Sequence, residues 1–246
     1  MRALFLLIAF LLTALRSQSG FAAEVSANFE AANRLYEQGK FTDAIAAYEE
    51  ILKSNKAPVI YFNLGNACYK AGLVGRAIAA YRNAEQLAPR DPDLRANLQF
   101  VLARVQGPRS DHSVFETWFR KLTLNEWTAL AAVPFWLCLL LLAAIQIKPA
   151  WRQTLRGWIL TSGIATLAFA ALLFAAWKIN SNQTAVVIAR EAVVRNGPLD
   201  ESPATFNVHD GAELHLLDHK DDWVQVRVGN RVGWIRNDQI TLVTRG

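Results

Sequence analysis

The chain has 246 residues, 52% of them hydrophobic, and a formal net charge of +5, an apolar excess that an ordinary soluble domain does not carry. The positive excess is spread between the N-terminal segment and a short internal turn and builds no basic face, so no nucleic-acid partner is expected. Two cysteines, Cys68 and Cys138, lie in dissimilar segments and exclude a disulfide framework and a cysteine-built metal cluster.

Residues 1–22 have the form of a secretory signal. Met1-Arg2 precedes an apolar stretch from Ala3 to Leu15, and Gly20-Phe21-Ala22 offers small residues at the two positions a signal peptidase reads. Cleavage after Ala22 is one outcome and an uncleaved anchor helix the other; both put the following region outside the cytoplasm.

Residues 25–106 carry an internal repeat. Gly39-Lys40-Phe41-Thr42-Asp43-Ala44-Ile45-Ala46-Ala47-Tyr48 returns, more loosely, as Gly72-Leu73-Val74-Gly75-Arg76-Ala77-Ile78-Ala79-Ala80-Tyr81. The period, with two helices per unit, is that of a helical solenoid. With Gly65, Ala84 and Pro89 added, the stretch resembles the tetratricopeptide repeat family. In such units Gly65, Ala32, Ala44 and Ala77 are small where paired helices cross, Tyr48 and Tyr81 fill the space between units, and Gly39 and Gly72 end helices. A further helix from Asp93 to about Gln106 shows Leu94, Leu98, Val101, Leu102 and Val105 on one face and is expected to close the stack.

The resemblance implies a groove on the inner face, lined by Phe29, Asn33, Tyr36 and Glu37 in the first unit and Phe62, Asn66, Tyr69 and Lys70 in the second. Asn33 and Asn66 each have a donor and an acceptor for a peptide backbone. The other reading is that these side chains only cap and solvate a small stack. Family members that clamp a C-terminal carboxylate have a lysine or arginine where this chain has Phe29 and Phe62, so carboxylate capture is not expected.

Residues 107–126 are a linker, with Pro108, Ser110, Asp111 and Ser113 followed by Trp118 and Phe119 at an expected membrane interface. Two uncharged 21-residue runs, Trp127 to Ile147 and Gly157 to Trp177, fill most of 127–177. Each is long enough to cross the hydrocarbon of a lipid bilayer. The turn between them carries Lys148, Arg152 and Arg156 and no acid, which assigns it to the cytoplasm and both flanking regions to the other side. Ala171 and Ala175 mark one spacing of small residues where the two crossings could approach.

Residues 183–246 switch to period-two alternation, clearest in Trp223-Val224-Gln225-Val226-Arg227-Val228. Gly229-Asn230 offers a tight hairpin to Arg231-Val232-Gly233-Trp234-Ile235. Five or so short strands imply a small barrel. Val194-Arg195-Asn196-Gly197-Pro198, Asp210-Gly211, Asp222-Trp223-Val224 and Gly233-Trp234-Ile235 resemble a bacterial SH3-like domain. Trp223 and Trp234 either touch cell-wall peptides or proteins or pack as core.

No phosphate loop, zinc-protease helix or nucleophile elbow occurs; catalytic residues, cofactors and metals are not expected. His209, His215 and His219 have no zinc spacing. The expected architecture is therefore helical hairpins of tetratricopeptide type, a two-helix transmembrane hairpin and a C-terminal SH3-like β-barrel. That order of parts resembles the BatE family of bacterial aerotolerance-operon proteins. The resemblance implies a non-catalytic assembly factor in the bacterial inner membrane, its soluble domains periplasmic. Partners would be membrane proteins with von Willebrand A-type domains, linked to a MoxR-type ATPase. A cell-envelope module gripping peptidoglycan peptides through the SH3-like domain is the alternative.

Overall fold

The computed structural model describes residues 25–105, 114–181 and 183–243; the expected signal and the start of the linker lie outside them. Helix α1 spans 25–37 and is followed by α2 (Phe41–Ser54), α3 (Pro58–Lys70), α4 (Val74–Leu87) and α5 (Pro92–Leu102). The sequence punctuates each one. Gly39 and Gly72 take φ of +76° and +79°. After each, the next amide bonds back to the carbonyl five residues earlier, Lys40 to Leu35 and Leu73 to Cys68, at 3.0 and 2.9 Å. This is the αL helix stop that glycine adopts without a Cβ penalty. Pro58 and Pro92 open α3 and α5, and Asp91 caps α5 by accepting from the amides of Asp93 and Leu94.

The helices pair as α1–α2 and α3–α4, with α5 closing the stack. Ala32, Ala44 and Ala77 are wholly buried at the crossings. A Cβ on Gly65 would lie 2.6 Å from the Tyr81 ring, so the glycine is what lets that ring fill the space between units. Leu94, Leu98 and Val101 of α5 are buried in the same core.

After α6 (Val114–Phe119) come the two long helices, α7 (Leu124–Ile147) and α8 (Arg152–Ser181), joined by Lys148 and a 3-10 turn over Pro149–Trp151. Both are long and apolar enough to cross a membrane. At about 1.5 Å per residue α7 is about 36 Å long. It begins before the uncharged run because Thr123 and Glu126 form a capping box: the Thr123 hydroxyl accepts from the Glu126 amide and the Glu126 carboxylate from the Thr123 amide. Above the hairpin, Phe119 stacks on Trp127 at 5.2 Å between centroids, and the Trp127 indole donates to the Phe119 carbonyl. Ala176 is buried in this cluster. Of the two small residues expected at the approach, Ala171 is exposed and Ala175 is half-buried against the cluster around Ala176; Ser162 and Ala176 are the buried positions of α8. The contact face of α8 thus runs through the four-turn spacing of those two residues.

The C-terminal region is one antiparallel sheet of seven strands: β1 (Thr184–Val187), β2 (Glu191–Arg195), β3 (Ala204–His209), β4 (Glu213–Lys220), β5 (Trp223–Val228), β6 (Arg231–Arg236) and β7 (Ile240–Leu242), ordered β3-β2-β6-β5-β4-β1-β7. Val228 pairs with Arg231 around Gly229-Asn230, with Gly229 at φ +58°. Val194, Leu214, Val224, Val226 and Ile235 form the interior. A Cβ on Gly233 would lie 2.5 Å from Val194 Cγ1 and 2.7 Å from the Arg195 carbonyl oxygen, so this glycine lets β6 press against β2. Two strands exceed the five or so expected: β3, which follows the Gly197-Pro198 turn, and the three-residue β7.

The stack and the barrel share a core. Helix α4 packs on β1 and β7, and Val186 and Val243 are buried in the same cluster as Ile78 and Leu98.

Candidate functional site

The eight expected groove residues lie on α1 and α3, the first helices of the two units, and the repeat is visible in their bonding. The Asn33 Oδ1 accepts from the Tyr48 hydroxyl at 2.7 Å and from Asn63 Nδ2 at 3.0 Å. One unit on, the Asn66 Oδ1 accepts from the Tyr81 hydroxyl at 2.6 Å and from Asn97 Nδ2 at 3.3 Å. Burial pushes the Tyr48 phenol up to about 12, against a hydrogen bond with Asn63 that lowers it. Burial raises Tyr81 as well. Both phenols therefore stay protonated and donate. Each asparagine has its acceptor capacity filled from within the fold, which ties its unit's second helix to the next unit's first helix. The backbone-acceptor role expected of Asn33 and Asn66 is thus taken by Tyr48, Asn63, Tyr81 and Asn97. Asn63 and Asn97, a repeat apart, carried that signal in the sequence and were missed.

Phe29 and Phe62 meet Tyr48 and Tyr81 at 6.1 and 5.9 Å, both tilted by 54°. Tyr36 lies edge-on to Phe41, and Tyr69 to Phe100. Arg104 covers Phe100 at 3.9 Å, closing the far end of the row. Of these rings Phe29, Tyr36, Phe41, Phe62 and Tyr69 are half-buried, Tyr48 and Tyr81 are buried and Phe100 is exposed, as are Glu37 and Lys70. The surface is a ribbed aromatic face with one acid and one base free to meet a partner.

The barrel does not use this face. It docks on α4, which carries none of the eight residues. The Gly75 amide donates to Asp210 Oδ1 at 2.9 Å. Burial raises the Asp210 carboxyl above its ordinary value, opposed by bonds from the amides of Gly75, Val74 and Gly211. Arg82 donates through Nε to Glu213 at 2.6 Å and through Nη1 to Glu85 at 2.7 Å. The Glu213 side chain keeps 2% of its exposure. Burial works against the Arg82 charge, but Glu213 and Glu85 outweigh it and hold the guanidinium above its ordinary value. On a third side Arg90 pairs with Glu126, joining the stack to the first turn of α7.

Trp223 and Trp234 lie outside the barrel's apolar cluster. Their neighbours Val224 and Ile235 point inward, so the tryptophans share the opposite face with Gln225 and Arg236, across paired strands. Trp223 is 8% exposed with the Arg236 guanidinium 5.4 Å from its ring centre, and Trp234 is half-buried. Among the described residues no group of three or more His, Cys, Asp or Glu could hold a metal.

Residues 29–92 match the tetratricopeptide repeat family and residues 189–241 the bacterial SH3 domain family. A search of curated proteins found no match. The chain thus carries a helical repeat region, two long apolar helices and an antiparallel SH3-like sheet. The repeats and the SH3-like domain suggest interaction with proteins or peptidoglycan.

Proposed function

We propose that the protein is a non-catalytic scaffold anchored in the bacterial inner membrane, which holds a segment of a partner protein against the aromatic face of α1 and α3. The supporting observation is that the barrel docks on α4 and leaves Phe29, Tyr36, Phe62 and Tyr69 uncovered. An antiparallel membrane hairpin would return the chain to the side it left, and the α4–barrel contact supports placing stack and barrel in one aqueous space. With the Lys148, Arg152 and Arg156 turn in the cytoplasm, that space is the periplasm. The BatE resemblance extends the reading to an aerotolerance complex, with partners bearing von Willebrand A-type domains and, through them, a MoxR-type ATPase.

The test is co-purification after crosslinking in intact cells, comparing wild type with Glu37→Lys/Lys70→Glu. Both residues are exposed, so the variant spares the asparagine ladder. Recovery of membrane-anchored partners is expected to fall severalfold at unchanged helicity. Unchanged recovery would sink the groove. The half-buried Trp234, on the face of the sheet away from the apolar cluster, supports the second reading, a peptidoglycan contact. Sedimentation of the full chain with purified wall, abolished by Trp234→Ala, would put that reading first.

A further inference from the structure

A cavity of about 470 Å³ opens where the stack meets the outer end of the hairpin. Arg82 and Arg95 from the stack line it, with Arg120 and Lys121 before α7 and Trp177 and Asn180 at the end of α8. Among its described lining residues four are cationic and one, Glu85, is anionic. Arg82 is committed to Glu213 and Glu85. Arg120 is not so placed. Its Nε is buried and has no hydrogen-bond partner among the described residues. Burial, then the like charge of Arg82, holds this guanidinium below its ordinary value, against the pull of Glu85, Glu116 and Glu213. A buried donor without an acceptor is costly, and an anion in the cavity would supply the acceptor.

Beside the cavity runs an apolar trough of about 600 Å³ between α7 and α8, lined by Phe135, Ala170, Leu173 and Phe174. The two share Leu124 and Trp177, so a cationic chamber continues into a hydrocarbon-like furrow down the hairpin. We propose that the pair forms a binding site for one anionic phospholipid, its phosphodiester against Arg95, Arg120 and Lys121 and an acyl chain along the trough. A guanidinium satisfies phosphate oxygens with fixed geometry, and basic pockets between membrane helices suit acidic headgroups. A soluble phosphate ester shares the headgroup chemistry but leaves the trough without an occupant, which is why the lipid is favoured. The inference rests on α7 and α8 lying in a bilayer.

The test uses the full chain in nanodiscs of phosphatidylcholine with a minor fraction of phosphatidylglycerol, released for native mass spectrometry. Wild type is expected to retain one phosphatidylglycerol per chain. Arg95→Gln/Lys121→Gln, at two exposed positions, should reduce that retention about tenfold, as should Arg120→Gln. Arg227→Gln on the barrel should leave it unchanged. Equal retention in Arg95→Gln/Lys121→Gln, at unaltered thermal unfolding, overturns the site, and so does equal retention of phosphatidylcholine. Displacement of the lipid by millimolar glycerol 3-phosphate also overturns it, in favour of a soluble phosphate ester. Failure of the hairpin reading shows separately, as release of the protein from membranes by alkaline carbonate.

Discussion

Gly75 is where helix and barrel come closest. A Cβ there would strike the Val187 carbonyl oxygen and lie 2.5 Å from Asp210 Oδ1. Alanine would improve the intrinsic helix propensity of α4 by about 1 kcal/mol, but the clash is with backbone and with a hydrogen-bonded carboxylate, and such overpacking costs about 1–3 kcal/mol. Gly75→Ala is therefore expected to lower the unfolding temperature and to expose the α4–barrel seam to limited proteolysis. An unchanged or raised midpoint would show that the seam has slack. The sequence held a trace of this: Gly75 stands where the first repeat has Thr42, a departure from the repeat at the docking point. Nothing comparable marks Arg82 and Glu213. Their pairing spans 131 residues, and no local period encodes a partner that far away. The asparagines were legible as repeated residues, but their donors belong to the fold, since only packing brings the Tyr48 and Tyr81 hydroxyls to them.

At the scale of elements, the joint between α5's approach and α7's first turn is electrostatic. The Arg90 hydrogen bond, then the Thr123 amide, holds the Glu126 carboxyl down to about 2, from an ordinary 4.5. Because the folded value is depressed, the contact contributes fully above pH 4.5 and is lost as pH falls through about 2. A carboxyl-carbon NMR titration of the solubilised protein should place the Glu126 midpoint near the lower figure, and Arg90→Gln should raise it toward the ordinary one. A midpoint that Arg90→Gln does not move would assign the whole effect to the α7 cap. Helix stops at Gly39 and Gly72 and the Gly229-Asn230 hairpin were readable because backbone sterics act within a few residues. Strand β7 was not, because Ile240–Leu242 becomes a strand only by pairing with β1. Of the Ala171 and Ala175 spacing expected where α7 approaches α8, Ala175 packs beside Ala176 while Ala171 faces out, since small residues permit a close crossing without choosing which face provides it.

For the whole molecule, the order of parts was plain in the sequence while their mutual contact was not. Periodicity identifies a repeat, an apolar run or an alternating strand one at a time; the fit of α4 to β1 and β7 depends on shape. That fit carries the topology prediction. Protease added outside spheroplasts should reach the stack and the barrel alike, with the Lys148–Arg156 turn protected until lysis. Protection of only one of the two folded parts would break the periplasmic assignment.

Val186 and Val243 have one more consequence. Both help fill the interior of a helical array whose own residues are synthesised at least 80 positions ahead of Val186. On the membrane reading proposed above, the repeats emerge with a bare apolar wall on α4 that waits for both long helices and a finished sheet before it is covered. The interval between first helix and final strand is when this chain is most open to a chaperone, or to sticking to its own siblings.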